Sequence, residues 1–337
     1  MKNTLCFDDV LLQPQFSDII SRKEINISTR LSNKIKLQIP VISSPMDTVT
    51  ESAMAIAMHR AGGLGIIHRY NTIEEQSAMI HNAGMDGLCN VGAAIGVSGD
   101  YLERVSELCS SGASMICVDI AHGHHALMRY ALETLRNTFG TTVHIMAGNV
   151  ATLEAFNDLS DWGADSIRVG IGGGSICSTR IQTGHGMPTL QSVLDCSMSD
   201  RDALLIADGG IRTSGDIVKA IAAGADCVMI GSLLAGTHES PGEIVYLDGH
   251  ANKTYRGMAS KDAQIEWRGH TASIEGVSTT VPLKGRANEV IDDLVTGIRS
   301  GFSYSGARTI SEMQAKSRFI RQTHAGVVES STHITMK

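Results

Sequence analysis

Short apolar runs rich in β-branched residues recur along the chain, each ending in Gly, Ser, Asp or His and each followed by a segment with helical spacing. That alternation predicts βα units around a parallel sheet. Strands are expected at 39–44, 64–68, 91–95, 115–120, 144–148, 166–170, 204–208 and 227–231. Eight strands suffice to close a barrel. Between them, apolar residues at three-to-four spacing predict helices over 52–60, 73–81, 101–110, 127–138, 153–159 and 214–222. Open doubly wound sheets alternate in the same way, but here polar and glycine residues gather just after the strand C-termini, where a barrel keeps its active site. The fold class is therefore read as α/β, a (β/α)8 TIM barrel. The interval from Leu233 to Arg286 breaks the rhythm with Gly, Ser, Thr, His and charged residues, before a last helix near 288–299. A long loop inside a compact domain is usually functional, so a lid or flap is expected over 236–286, after strand eight. No repeat, low-complexity tract or composition shift marks a second domain, so residues 1–337 read as one barrel domain with a polar tail at 311–337 suited to an oligomer contact.

Composition narrows the partners. Twenty-eight Lys and Arg against 35 Asp and Glu give a net charge of −7, a field that repels phosphodiester backbones and anionic lipid. Neither nucleic acid nor membrane is expected as a partner. The seven cysteines are odd in number, scattered and never in a paired metal-ligand spacing, which suggests a reducing compartment and no zinc. No apolar stretch approaches the roughly 18 residues that span a bilayer. The expectation is a soluble, cytoplasmic protein.

The densest glycine signal is GIGGGSICSTR, residues 170–180, directly after the sixth strand. Glycines let a backbone approach a phosphate closely, and Ser175 adds a hydroxyl donor. Cys177 inside this loop reads either as a small buried residue or as a nucleophile whose thiolate is favoured by backbone N–H groups and by Arg180. Thr179 is placed to pass a proton. A second phosphate signal is the pair IADGGIR (206–212) and MIGSLLAG (229–236), since barrels often bind phosphate with the loops after strands seven and eight. The bland alternative is that Gly209 and Gly210 only terminate a strand. Asp208, ending strand seven, could hold a ribose diol. The DIAHGHH segment (119–125) invites a metal at His122, His124 and His125, yet no carboxylate spacing supports one and loop histidines are commonly solvated. Asp119 is the better candidate there, for a ligand hydroxyl. A GxGxxG fingerprint after the first strand is absent, so a nicotinamide cofactor would bind without a Rossmann unit.

Taken together, LCFDDVLLQP (5–14), IPVISSPMDTVTE (39–51), GGLGIIHR (62–69), GIGGGSICSTR, IADGGIRTSGDI (206–217), MIGSLLAGTHESPGE (229–243) and YRGMAS (255–260) resemble the IMP dehydrogenase/GMP reductase family. The likeness runs in order from about residue 5 to residue 335. It implies a (β/α)8 barrel, usually a homotetramer, whose Cys attacks carbon 2 of a purine nucleotide, GMP or IMP. By that resemblance Cys177 is the nucleophile and Thr179 with Glu275 a proton-transfer dyad. Ser175, Gly210, Gly231, Ser232 and Tyr255 match phosphate contacts, and Asp208 matches the ribose ligand. Ser44, Met46, Gly257 and Met258 match residues around the base. Asp119, Ala121 and Asn149 match residues beside the nicotinamide, with Arg69 a candidate for the 2′-phosphate of NADPH. The backbones of Gly172, Gly174 and Cys177 match a monovalent-cation (K⁺) loop, completed by Glu329 of a neighbouring subunit, although this chain has GGGS where the family usually has GPGS.

The family runs two reactions, and the chain's departures favour one. The dehydrogenases oxidise IMP with NAD⁺ and hydrolyse the covalent adduct with a base carried on a long mobile flap containing an Arg-Tyr pair. Here only residues 259–274 separate YRGM from Glu275, and no Arg-Tyr pair lies among them. EWRGHTASIEG (266–276) is similar instead to the reductase pattern EYRASEG, with Trp267 for Tyr. The segment 71–90 leaves no room for the CBS domains that most dehydrogenases insert. These features imply reduction of GMP to IMP and ammonia with NADPH, and a Glu275 enclosed by the lid. The N-terminal blocks and HAGVVESSTH (324–333) look more dehydrogenase-like, so an IMP dehydrogenase with NAD and an atypical flap stays open, with Arg268 as its substitute base.

Overall fold

Eight parallel strands pair in chain order, and the last closes on the first. They are β1 (Val41–Ser43), β2 (Leu64–Ile67), β3 (Gly92–Ile95), β4 (Met115–Asp119), β5 (His144–Val150), β6 (Ser166–Val169), β7 (Leu204–Asp208) and β8 (Cys227–Ile230). Each lies within two residues of its expected bounds, and the fold is a TIM barrel. The computed structural model describes residues 3–32, 34–85 and 90–330. Cys89 and residues 331–337 of the expected tail lie outside them. The six described cysteines are all free thiols.

The barrel forms because alternate strand residues serve two different cores. Ile42, Ile66, Ala94, Cys117, Met146, Ile206 and Met229 fill the interior. Their strand neighbours Val41, Ile67, Ala93, Val118, Ala147, Ala207 and Val228 belong to a separate cluster shared with the helices. Leu31, Ile35 and Leu37, around the hairpin of Thr29–Arg30 and Lys36–Leu37, join the inner cluster just before β1. Every expected helix is present: α1 (Ser52–Arg60), α2 (Ile73–Met85), α3 (Tyr101–Ser110), α4 (Ala126–Phe139), α5 (Leu153–Asp161), and α8 (Ser214–Ala222) after the two additional short helices α6 (Thr179–Thr183) and α7 (Thr189–Cys196). Their starts follow ordinary capping: Thr213 Oγ accepts from the Asp216 N–H at 3.2 Å while the Asp216 carboxylate accepts from the Thr213 N–H at 3.1 Å.

The interval after β8 departs from the expected irregular loop. It contains an antiparallel sheet of β9 (Ile244–Leu247), β10 (His250–Arg256) and β11 (Ser278–Pro282), with helix α9 (Lys261–Arg268) between the last two strands. All four β9 residues are exposed, and the buried positions of β10 are Lys253 and Tyr255, so the ribbon lacks the apolar-polar alternation that reveals a half-buried strand. A turn signal was nonetheless present: Asp248 and Gly249 have φ of 50° and 79°, the paired positive angles of a two-residue hairpin turn. The last helix, α10, runs over Ala287–Tyr304, longer than expected at both ends. The first half of the tail is ordered. Helix α11 (Ile310–Lys316) buries Met313, and Phe319–Arg321 pairs antiparallel with Val10–Leu12, tying the tail's first half to the N-terminal segment. Among the described residues no helix is long and apolar enough to cross a membrane.

Strand ends β6 and β7 approach so closely that Gly170 has a single admissible side chain, hydrogen. Its φ is +147°, and a Cβ there would stand 1.9 Å from the Asp208 carbonyl oxygen. Gly170→Ala is expected to lower unfolding stability by about 3 kcal/mol or more through combined strain and overpacking, measured by urea denaturation.

Candidate active site

A cavity of about 490 Å³ opens at the C-terminal ends of the strands. Its wall contains the three residues read as catalytic, Cys177, Thr179 and Glu275, together with every residue assigned above to nucleotide, nicotinamide or cation loop on this chain. Glu329, at the end of a short helix (His324–Glu329), is not part of that wall, nor are His122, His124 and His125. The histidines have local work instead. His124 bonds Asp158 at 2.8 Å and stacks on Trp162, and His125 accepts from the Leu127 N–H at the start of α4. No cluster suited to a metal ion exists among the described residues.

The two glycine loops meet at one end of the cavity. After β8 the chain enters a helical turn in which Leu234 and Ala235 donate to the Gly231 carbonyl at 3.0 and 2.9 Å. The first N–H groups of such a turn have no partner within it and attract an anion. A Cβ on Gly231 would lie 3.3 Å from Ser44 Oγ, 3.2 Å from Met46 Sδ and 3.4 Å from the Tyr255 hydroxyl, so these groups surround one spot. The Tyr255 hydroxyl also lies 3.3 Å from Ser175 Oγ, linking β10 of the lid to the cysteine loop. Lys284, just past β11, donates to the Ser232 carbonyl at 2.6 Å and holds a positive charge behind that loop.

Cys177 is joined to the lid by both side chain and backbone. Its thiol donates to Thr179 Oγ at 3.2 Å, and that hydroxyl donates to Glu275 Oε2 at 2.8 Å. The Ser178 N–H donates to the Glu275 carbonyl at 2.8 Å, and the Val277 N–H donates to the Ile176 carbonyl at 3.0 Å. On its other side the same segment is gripped by Gly257 and Ala259: the Gly257 N–H donates to the Val277 carbonyl, and the Glu275 N–H donates to the Ala259 carbonyl, both at 3.1 Å. Residues 275–277 thus form a strand lying between the cysteine loop and the end of β10. Glu275 is half-buried rather than enclosed, and its Oε1 accepts from Ser273 Oγ at 2.9 Å. The Gly174 carbonyl of the expected cation loop accepts the Cys177 N–H at 3.2 Å.

The residue that sequence reasoning missed is Arg168. It occupies an inward position of β6 where neighbouring strands carry apolar side chains. Its guanidinium binds Asp119 on one side and, at 3.1 and 2.9 Å, Asp208 Oδ2 on the other. Asn149 donates to the same Asp208 oxygen at 2.8 Å, so one carboxylate oxygen is committed inside the protein and one is left for a ligand. Burial alone would raise the Asp119 carboxyl, but Arg168 and then Arg69 outweigh it and hold it below the ordinary range. Burial likewise works against the Arg168 charge, and Asp208, Cys117 and Asp119 reverse that, keeping it protonated. The available signal was a lone charged residue between Ile167 and Val169 in a fully buried strand, where an unpaired guanidinium could not survive.

The sequence profile of the IMP dehydrogenase / GMP reductase domain matches residues 4–333. An inosine-5′-monophosphate dehydrogenase from Nitrosopumilus maritimus is 36% identical over 98% of both chains. A GMP reductase from Leishmania major is 35% identical over 98% of this chain and 96% of its own. These alignments run over 471 and 474 positions against a chain of 337 residues, so the relatives carry inserted residues absent here. A crystal structure of Trypanosoma brucei GMP reductase, a cysteine-to-alanine variant in complex with guanosine 5′-monophosphate, superposes with a TM-score of 0.94 at 34% identity, covering 99% of this chain and 98% of that one.

Removing Arg168 would take from two carboxylates the cation they share. Arg168→Met is expected to cost about 3–5 kcal/mol at pH 7. The depressed Asp119 pKa stabilises the wild type above the unfolded value of about 4 and is lost as pH falls through the folded value. In the variant Asp119 keeps only Arg69, at 3.5 Å, and protonates more readily. Its deficit should therefore shrink between pH 7 and pH 4 in parallel denaturation curves.

Proposed function

The chain belongs to the IMP dehydrogenase / GMP reductase family of purine-nucleotide oxidoreductases, and on that premise we propose that it reduces GMP to IMP and ammonia with NADPH. The observation that carries this reading is the connected series Cys177 thiol, Thr179 hydroxyl and Glu275 carboxylate at 3.2 and 2.8 Å. In the resting arrangement each group donates to the next, so the thiol proton has a path to Glu275. The Cys177 sulfur then adds to carbon 2 of the purine. The amine departs as ammonia when the proton returns from Glu275 through Thr179, because an amine leaves poorly as an anion. A nicotinamide cofactor would supply hydride to carbon 2 when bound, and Cys177 would then leave as thiolate and take up a proton from solvent. No water is activated in this sequence.

The rest of the cavity supports that assignment. The loops at Ser175, Gly210, Gly231 and Ser232, with Tyr255, would hold the phosphate. The free oxygen of Asp208 would take a ribose hydroxyl, and Ser44, Met46, Gly257 and Met258 would flank the base. Asp119, Ala121, Asn149 and Arg69 line the neighbouring part of the cavity and would receive the cofactor. They fit a carboxamide and a polar chain: Asp119 is an ionised acceptor beside two guanidiniums, and Asn149 is fixed by donating to the Gly170 carbonyl at 2.8 Å.

A dehydrogenase reading remains the competitor, since relatives of similar identity carry each name. It needs a water-activating base, and the short segment 259–274 carries the Glu275 unit directly against the cysteine loop. Absorbance at 340 nm separates the two. With GMP and NADPH it should fall, with IMP and ammonia as products; a rise with IMP and NAD⁺ and formation of XMP would sink the proposal. Cys177→Ala should abolish turnover while leaving GMP binding in calorimetry, and Glu275→Gln should lower kcat by about 10² to 10⁴-fold.

A further inference from the structure

We propose that Tyr70 and Trp267 are positioning residues: their stacked rings dock the lid helix on the barrel rim and thereby set where Glu275 sits against Thr179. The inference rests on the reading that Glu275 moves the proton, and it deepens that reading.

Helix α9 and the turn that follows it form one body. Gln264, only 2% exposed, donates from Nε2 to the carbonyls of Ala259 at 3.0 Å and Ser273 at 2.9 Å, while its Oε1 accepts the Ala272 N–H at 2.7 Å. Ser273 in turn donates to Glu275. A tilt of α9 is therefore transmitted to the Glu275 carboxylate through hydrogen bonds rather than absorbed by slack chain.

That body is fastened to the barrel at its inner edge by the backbone bonds of residues 275–277. At its outer end the fastening is aromatic. The Trp267 and Tyr70 rings lie 5.8 Å apart between centroids and 13° from parallel. Two cations border Tyr70, with Arg69 at 5.5 Å and Arg268 at 5.8 Å from the ring centroid. Arg268 also donates to the Tyr70 hydroxyl at 3.4 Å. Tyr70 follows β2 closely, and its N–H donates to His68 Nδ1 at 3.2 Å, so its ring is carried by a rigid strand end. The salt bridge of Arg256 to Glu266, one residue before Trp267, steadies the helix without touching Tyr70. Each contact is weak alone, which suits a latch that biases the lid. Misplacing a catalytic group by an ångström is enough to lose much of a rate.

The test uses the full-length protein with Tyr70→Ala, Tyr70→Phe, Trp267→Ala and Trp267→Phe. In GMP and NADPH turnover the alanine variants should lose about tenfold to a hundredfold in kcat, with both KM values held within about twofold, and the phenylalanine variants should retain most activity. A second readout needs no turnover. Trp162 and Trp267 are the two tryptophans, so in a Trp162→Phe background Tyr70→Ala should shift the Trp267 emission to the red. An unchanged emission, or a raised KM for the nicotinamide cofactor with kcat intact, would overturn the proposal, the latter making the rings a cofactor contact. Should the wild type turn over IMP and NAD⁺ instead, the reductase reading falls alone, and the same kcat-against-KM split on that reaction, with the emission shift, judges the latch.

Discussion

The site depends on a short piece of lid backbone used as a strand. Residues 275–277 hydrogen-bond on one side to Ile176 and Ser178 and on the other to Gly257 and Ala259. Backbone bonds of this kind fix position to a fraction of an ångström, and here they bring Glu275 within reach of a hydroxyl 96 residues away in the chain. The spacing leaves little room: Gly276 and Gly257 face each other so closely that a Cβ on either would meet the other's Cα at 3.3 Å. Both glycines are present because two backbones pass each other there.

Beneath that arrangement lies a second constraint, electrostatic rather than steric. A barrel interior is apolar and water-poor, yet this one carries Arg168 at an inward position. The charge is tolerated because Asp119 and Asp208, ending two different strands, converge on it with Asn149 completing the set. The same arrangement that satisfies the buried arginine orients two carboxylates at the floor of the cavity. The two carboxylates are thus tied to each other through one guanidinium, and a change at either would be felt at both.

The segment after β8 is held beside the cavity by few contacts. Its outer strands are largely exposed and only Lys253 and Tyr255 of β10 are buried, so its order comes mainly from attachment: Tyr255 to Ser175, Lys284 to Ser232, Arg256 to Asp47 and Glu266. The links to Ser175, Ser232 and Asp47 end on loops that also border the cavity, and the one to Glu266 ties β10 to α9. In the proposed reductive chemistry nothing beyond a proton relay is asked of the lid, and a segment held against the cysteine loop serves that purpose. Hydrolysis would ask for space to admit and activate water.

The eight strands and seven of the helices were legible because their signals are local: an apolar run or a helical spacing buries the same residues wherever the barrel closes. The glycine loops, Cys177 and Asp208 were legible for a related reason, since strand ends of a parallel barrel converge on one face. Arg168 was not singled out, because its meaning depends on Asp119 and Asp208, which lie 49 and 40 residues away. The sheet after β8 was hidden because β9 is exposed and β10 buries a lysine, Lys253, beside Tyr255, so no apolar alternation shows, with only Asp248–Gly249 to betray it. Glu275 had its role suggested by resemblance alone; as a residue it reads as an exposed loop carboxylate. Sequence by itself determined the barrel and the set of groups at its mouth, through patterns that repeat over a few residues. The distances between Cys177, Thr179 and Glu275, and the pairing of Tyr70 with Trp267, were decided by tertiary structure, because only closure of the barrel and docking of the lid bring such distant segments together.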